Sequence, residues 1–203
     1  MMAFAERRVS RETSERLDVF EALVRKWNPA INLVSKASLP HLRDRHINDS
    51  AQLVDIAPDS VGHWVDIGSG GGFPGVVIAI LMSEASPDTK VTLVESDQRK
   101  AAFLRTALRE TAVDGDVICA RVEGLESLEA NILSARALGD LCLLLPFAEK
   151  HLAPAGVAIF PKGRTWQEEL EAAKSEWNFE CRVDMNKIEP DAAILSIQGV
   201  SRA

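Results

Sequence analysis

The chain has 203 residues, 46% of them hydrophobic, which suits one large domain with a sizeable core. A formal net charge of −7 excludes a surface that is basic throughout, although a local anion site remains compatible with it. Cys119, Cys142 and Cys181 form neither a CxxC pair nor an even framework, no run is apolar enough to span a bilayer, and the opening "MMAFAERRVSRETSE" has no apolar leader, so a reduced, cytoplasmic, membrane-free protein is expected.

The first helix is read from Leu17, Phe20, Leu23/Val24 and Trp27, which recur at helical spacing until Asn28-Pro29 stops the run. A second helix is predicted from Ser38, with Pro40 in its first turn, to Pro58. Residues 1–50 carry nine Lys/Arg against seven Asp/Glu, the reverse of the acidic remainder. Arg7, Arg8, Arg11, Arg25, Lys26, Lys36, Arg43 and Arg45 would form a basic face if the helices aligned them; an ordinary solvated surface is the preferred reading.

From Trp64 the pattern becomes alternation of strand and helix. Strands are predicted at 63–67, 90–95, 115–120, 131–135, 156–161, 179–186 and 192–198. Helices are predicted at about 74–84, 97–112, 139–151 and 165–176, with a short helical turn near 124–128. This order predicts an α/β fold with a doubly wound sheet of six or seven strands, parallel except for an antiparallel hairpin at its end. Residues 1–60 are read as a helical extension packed on the sheet and 61–203 as the domain that carries the chemistry.

Between the first strand and its helix lies "WVDIGSGGGFPG", with five glycines in residues 68–75. Bare backbone at that turn lets a ligand approach the peptide groups, and packing alone does not require so many glycines. The segment reads as GxGxxG through Gly70, Gly72 and Gly75, which suits a dinucleotide, or as DxGxGxG through Asp66, Gly68, Gly70 and Gly72. Asp66 favours the second reading, because an acid at the loop repels pyrophosphate and suits a ligand with an ammonium or sulfonium. S-adenosylmethionine carries both. Glu95 ends the second strand, where a carboxylate accepts hydrogen bonds from two ribose hydroxyls. The third strand ends at Arg121-Val122-Glu123, beside the place of an adenine: Val122 would pack on the ring and Glu123 or backbone meet its edge.

Several segments together resemble one family, the bacterial small-subunit ribosomal RNA guanine-N7 methyltransferases, also called glucose-inhibited division protein B. They are "WNPAINLVS" (27–35), "RHINDS" (45–50), "VDIGSGGGFPGVVIAI" (65–80), "ESDQRKAAFLR" (95–105), "RVEGL" (121–125), "SARAL" (134–138) and "FPKG" (160–163). The glycine loop is common to many methyltransferases; "NLVS" and "RHINDS" followed by "GFPG" are far more specific. The resemblance implies a Rossmann-like methyltransferase sheet, S-adenosylmethionine as donor, and a guanine in the decoding-region loop of 16S rRNA as acceptor. It places cofactor contacts at Gly68, Phe73, Val122, Glu123 and Arg136, beside Asp66, Gly70 and Glu95 from the residues themselves.

Guanine N7 presents an in-plane lone pair and no proton, so its methylation needs orientation more than a general base. No Pro-Cys loop for cytosine C5 chemistry and no Asn/Asp-Pro-Pro-aromatic loop after the fourth strand is present in the sequence. Arg136 stands where that loop would be, and its expected role is to orient cofactor or base; the alternative is a salt bridge. Leu42, His46, Asp49 and Leu53 share a helical face, which fits either a buried docking network or a wall of the active site, with Arg45 reaching phosphate. Arg45, His46, Lys100 and Lys162 are candidate RNA contacts, and no metal site is expected. The expected partner is 16S rRNA in the small subunit or a late precursor, met by a monomer. A methyltransferase acting on a small molecule or protein, a cofactor-binding assembly factor and a dinucleotide-binding module are the competing readings.

Overall fold

The computed structural model describes residues 9–58 and 61–203, so Arg7 and Arg8 of the supposed basic face lie outside the described residues. Helix α1 spans Arg11–Ile31; Ser10 caps it by accepting from the Thr13 N–H at 3.1 Å. The helix does not stop at Asn28-Pro29 as predicted. Proline removes one N–H from the ladder near a helix end that is frayed in any case, and the last turn closes at Asn32, whose left-handed conformation (φ 47°) lets its N–H reach Asn28 O. Asn28 is buried, and its side chain accepts from the Val34 N–H at 2.8 Å, turning the chain toward the sheet.

The predicted second helix is three pieces: a 3₁₀ turn at Leu39–His41, a π-helical segment at Arg43–Asn48, and α2 at Asp49–Ile56. The wider π turn alters which side chains stack along the face. Arg11, Arg25, Arg43 and Arg45 pair with Glu15, Glu21, Asp18 and Glu189 respectively, so these cations sit in ordinary ion pairs rather than a bare basic face.

The rest alternates as expected: β1 (His63–Ile67), α3 (Gly75–Ala85), β2 (Lys90–Val94), α4 (Gln98–Glu110), β3 (Asp116–Ile118), β4 (Ala130–Ser134), α5 (Leu141–His151), β5 (Leu152–Lys162), α6 (Trp166–Lys174), β6 (Trp177–Met185) and β7 (Ala193–Arg202). The short turn predicted near 124–128 lies at Val122–Gly124. Strand β5 starts earlier than predicted, directly after α5, with its pairing to β4 interrupted between Ala130 and Ile132. The sheet order is β3-β2-β1-β4-β5-β7-β6. All pairings are parallel except those of β7, which runs antiparallel between β5 and β6. The hairpin is the expected one; the reversed strand is inside it, one place from the edge.

Alternation along β1 sends Trp64 to one face and Val65 and Ile67 to the other. On the first face α1, α2, α3 and α4 pack with Trp64, Leu93 and Ile132; Phe20, Phe73 and Phe103 join the N-terminal helix to this same core. On the second, α5 and α6 cover Val65, Leu133, Phe160 and Leu195. The change of face falls between β1 and β4, and a crevice opens at the carboxyl ends of these two strands.

Candidate functional site

That crevice holds a cavity of about 660 Å³, within the range that takes a small-molecule ligand. Gly68, Gly70, Phe73, Arg136, Arg45, His46, Lys100 and Lys162 all line it. Four other residues named from the sequence, Asp66, Glu95, Val122 and Glu123, stand outside this wall.

The glycine loop is shaped by backbone. Gly68, Gly70 and Gly72 have φ of 66°, 52° and 85°, the region that side chains with a Cβ rarely enter. At Gly71 a Cβ would lie 2.7 Å from Leu33 O, so the "NLVS" segment packs directly on the loop. Glu95 holds the loop from the neighbouring strand. One carboxylate oxygen accepts from the Gly70 N–H (2.8 Å) and the other from the Asp97 N–H (2.7 Å). Each oxygen keeps a lone pair, so the carboxylate is oriented and still able to accept two hydroxyls of a ribose. Val122 is buried at the start of the turn after β3, while Glu123 is exposed and its carbonyl accepts from Lys150 Nζ at 2.9 Å. The bare loop, the oriented carboxylate and the apolar Val122 fit the methionine, ribose and adenine parts of S-adenosylmethionine respectively.

Asp66 is at the loop's root rather than at its mouth. It has no solvent exposure; Oδ1 accepts from Ser134 Oγ at 2.7 Å, and Ser134 in turn accepts from Trp64 Nε1 at 3.0 Å. Oδ2 is buried without a hydrogen bond. Burial therefore raises its pKa from 3.8 to about 6, against the lowering effect of the Ser134 bond. A carboxyl whose folded pKa lies above its unfolded value favours folding fully below the unfolded pKa, and that contribution is lost as pH rises through the folded one. Across this gap the loss is roughly 3 kcal/mol. Asp66→Asn should then flatten the stability profile between about pH 4 and 7. Urea unfolding of both proteins across that range measures it; a wild-type stability that rises with pH there, with the variant parallel to it, would contradict the assignment.

The "RHINDS" segment and "SARAL" meet across the cavity. Arg136 Nη1 contacts Asp49 Oδ2 at 3.3 Å and Arg45 O at 3.5 Å, and Nη2 donates to His46 Nδ1 at 2.9 Å. The segment is bonded into the fold, as the docking-network reading expects, and His46, Arg45 and Asp49 also line the cavity. Because an arginine can only donate, His46 Nδ1 accepts and the ring proton sits on Nε2. Burial, then the charges of Arg136 and Arg45, lower the His46 pKa to about 4, so the ring is neutral at physiological pH. The ring packs 5.1 Å from Phe73, and the Arg136 guanidinium lies 5.3 Å from the same ring.

Of the other cations, Arg45 pairs with Glu189 at 2.8 Å on the cavity rim. Lys162 is only 6% exposed at its side chain; its ammonium pairs with Glu169 at 2.6 Å and donates to Gly139 O at 2.8 Å. Its charge is met inside the wall.

Sequence reading missed Asn186, Gln52 and Glu189. Asn186 and Glu189 lie in the loop between β6 and β7, and both line the cavity. Asn186 Nδ2 donates to Asp49 Oδ1 at 2.7 Å, and its Oδ1 accepts from the Ile188 and Glu189 N–H groups at 2.8 and 2.9 Å. The Asn-x-x-Glu-Pro spacing of a side-chain-capped turn was the available signal for this loop.

The model for a family called rRNA small subunit methyltransferase G matches residues 13–191. Proteins named ribosomal RNA small subunit methyltransferase G from Ruegeria pomeroyi and Ruegeria sp. (strain TM1040) are 55% and 54% identical over 194 residues, spanning 96% of this chain and 95% and 94% of theirs. The protein of that name from Paracoccus denitrificans is 50% identical over 196 residues, 96% of this chain and 99% of its own. Among solved structures, a TehB-like SAM-dependent methyltransferase from Corynebacterium glutamicum superposes with a TM-score of 0.57 at 12% identity, over 91% of this chain and 98% of that one. TYW2 of M. jannaschii, solved in complex with AdoMet, gives 0.56 at 15% identity over 78% and 76% of the two chains. At such identities the two likenesses speak for the fold alone.

Proposed function

The chain belongs to the rRNA small subunit methyltransferase G family, and on that premise we propose that it transfers a methyl group from S-adenosylmethionine to N7 of one guanine in the decoding-region loop of 16S rRNA. The observation that carries this reading is the glycine loop fixed by Glu95 at the switch point of the sheet, opening on a cavity walled by "RHINDS" and Arg136.

When bound, S-adenosylmethionine supplies an electrophilic methyl on a sulfonium. The chain's own part is placement. Gly68 and Gly70 let the cofactor lie against peptide groups, Glu95 accepts from its ribose, and Val122 and Glu123 flank its adenine. Asp66 sets the loop from beneath. Phe73 and Arg136 meet the cofactor from the side of the cavity where, with His46, they also face the acceptor base. N7 has no proton to lose, so no residue needs to act as a base, and rate comes from alignment and electrostatic fit. Arg45 and Lys100 face the backbone of the RNA, where an incoming phosphate exchanges with Glu189 for the Arg45 guanidinium.

The substrate is the assembled small subunit or a late precursor, met in the cytoplasm by a single chain. The net charge of −7 and the ion-paired surface arginines give little general attraction for RNA, so the subunit's shape must contribute to recognition. No helix of the described residues is long and apolar enough to cross a membrane. The deciding experiment is transfer from labelled S-adenosylmethionine to small subunits of a strain lacking the activity, with the product nucleoside identified by mass spectrometry. 7-Methylguanosine at one position is the expected product. Equal labelling of deproteinised 16S RNA would refute the subunit as substrate, and tight S-adenosylhomocysteine binding without labelled RNA would refute the rRNA reading.

A further inference from the structure

We propose that Asn186 is a positioning residue for methyl transfer: it fixes the Asp49 carboxylate, which orients Arg136, which in turn holds His46 with its proton on Nε2. This rests on the methyltransferase reading above and extends it to the β6–β7 loop.

The chain of contacts is continuous. Asn186 and Gln52 both donate to Asp49 Oδ1, at 2.7 and 3.3 Å. The other carboxylate oxygen faces Arg136 Nη1 at 3.3 Å, and Nη2 of the same guanidinium binds His46 Nδ1 at 2.9 Å. Gln52 Nε2 also donates to Asn186 Oδ1 at 3.3 Å, and Gln52 Oε1 accepts from the Lys187 N–H at 2.7 Å. Asp49, Gln52 and Asn186 are each buried. Buried polar groups tolerate such a setting only when they satisfy one another, and an interlocked set holds each member in one orientation.

The network ends on an atom that the protein does not satisfy. His46 Nε2 is buried with no hydrogen-bond partner, on a residue that lines the cavity. A buried N–H without an acceptor is costly, and a substrate base that displaces the groups closing over Nε2 would relieve that cost with an oxygen acceptor. The exocyclic O6 of a purine is such an acceptor, and contact there leaves N7 free to react. Arg136 is less suited to that contact, since Asp49, Arg45 O and His46 already engage it. Asn186 itself touches neither cofactor nor base in this scheme; it acts through Asp49.

The test uses Asn186→Ala and the exchange Asp49→Asn/Asn186→Asp in the full chain. The exchange keeps an amide–carboxylate bond between the two positions, the carboxylate introduced at position 186 still accepts from the Ile188 and Glu189 N–H groups, and only the longer Gln52 bond to position 49 is given up. It moves the negative charge one residue away from Arg136. For the exchange, which keeps a carboxylate in the same network, the expected result is a cooperatively folded protein with a thermal midpoint above that of Arg136→Ala, S-adenosylhomocysteine affinity within about threefold of the wild type, and kcat reduced by roughly 10²-fold, the scale of a small misplacement at a reacting centre. Nitrogen-15 spectra of the imidazoles give a readout that does not depend on turnover. The wild-type His46 signals should show a neutral ring protonated at Nε2, and both variants should shift them toward mixed tautomers. An exchange variant with wild-type kcat and unchanged His46 signals would overturn the proposal and leave the network purely structural. If the wild-type protein methylates no RNA, the functional reading fails, whereas the imidazole spectra still decide the positioning.

Discussion

Arg136→Ala should lower kcat by about 10³-fold and destabilise the fold by about 2–4 kcal/mol. The two effects have separate causes. Truncation leaves Asp49 buried without its cation, and breaking a buried ion pair is costly because the remaining charge stays desolvated. The loss is moderated because Asn186 and Gln52 still donate to the same carboxylate. Catalysis suffers because His46 loses the donor that fixes its tautomer and the cavity loses its guanidinium wall. Arg136→Lys separates the two. A lysine restores the charge opposite Asp49 and hence most of the stability, but one ammonium cannot hold Asp49, the Arg45 carbonyl and His46 in the planar fork of a guanidinium. Its kcat should remain at least about tenfold down. Initial rates and urea unfolding on both variants measure this. A lysine variant as active as the wild type would reduce Arg136 to a counter-ion, and an alanine variant that unfolds easily but turns over normally when folded would leave it only a structural role.

Gly68→Val should weaken S-adenosylhomocysteine binding by on the order of 100-fold while leaving a folded protein. Gly68 has φ of 66°, where a β-branched residue is strained, and an added Cβ would come within 2.7 Å of Leu138 Cδ1. Leu138 is 36% exposed and has room to move, so the steric clash can be relieved. The backbone strain cannot, and it is relieved only by shifting the loop away from the Gly70–Glu95 bond that sets it. Titration calorimetry with S-adenosylhomocysteine, alongside a thermal melt, reads both terms. Unchanged affinity would remove the loop from the cofactor site.

The sheet could be read from the sequence because its signals are local. Each strand from β1 to β4 was placed within about two residues, since apolar runs and turn residues mark both ends of a short strand. The early start of β5 is hidden by "APAG", which reads as a turn and which the pairing with β4 passes over, from Leu152 to Val157. The continuation of α1 through Pro29 was hidden because proline signals a break, while the left-handed Asn32 that ends the helix carries no strong mark. In the site, the glycine loop and Glu95 were legible because the demand there is on the backbone, and only glycine meets it. Asn186 was not, because its partner Asp49 lies 137 positions away and neither residue signals the other. Lys162 looked like any cation ending a strand; only the fold brings Glu169 against its ammonium.

Strand β7 follows β6 in the chain, yet it sits between β5 and β6. Until it emerges from the ribosomal tunnel, β5 presents an open edge from Ala158 to Lys162, the stretch that later pairs with β7. The nascent chain can form the glycine loop early, but the wall bearing Asn186 and Glu189 closes only when β7 docks. The far edge of the sheet and this wall of the cavity are therefore one cooperative unit, and whatever loosens the reversed strand opens the cavity as well.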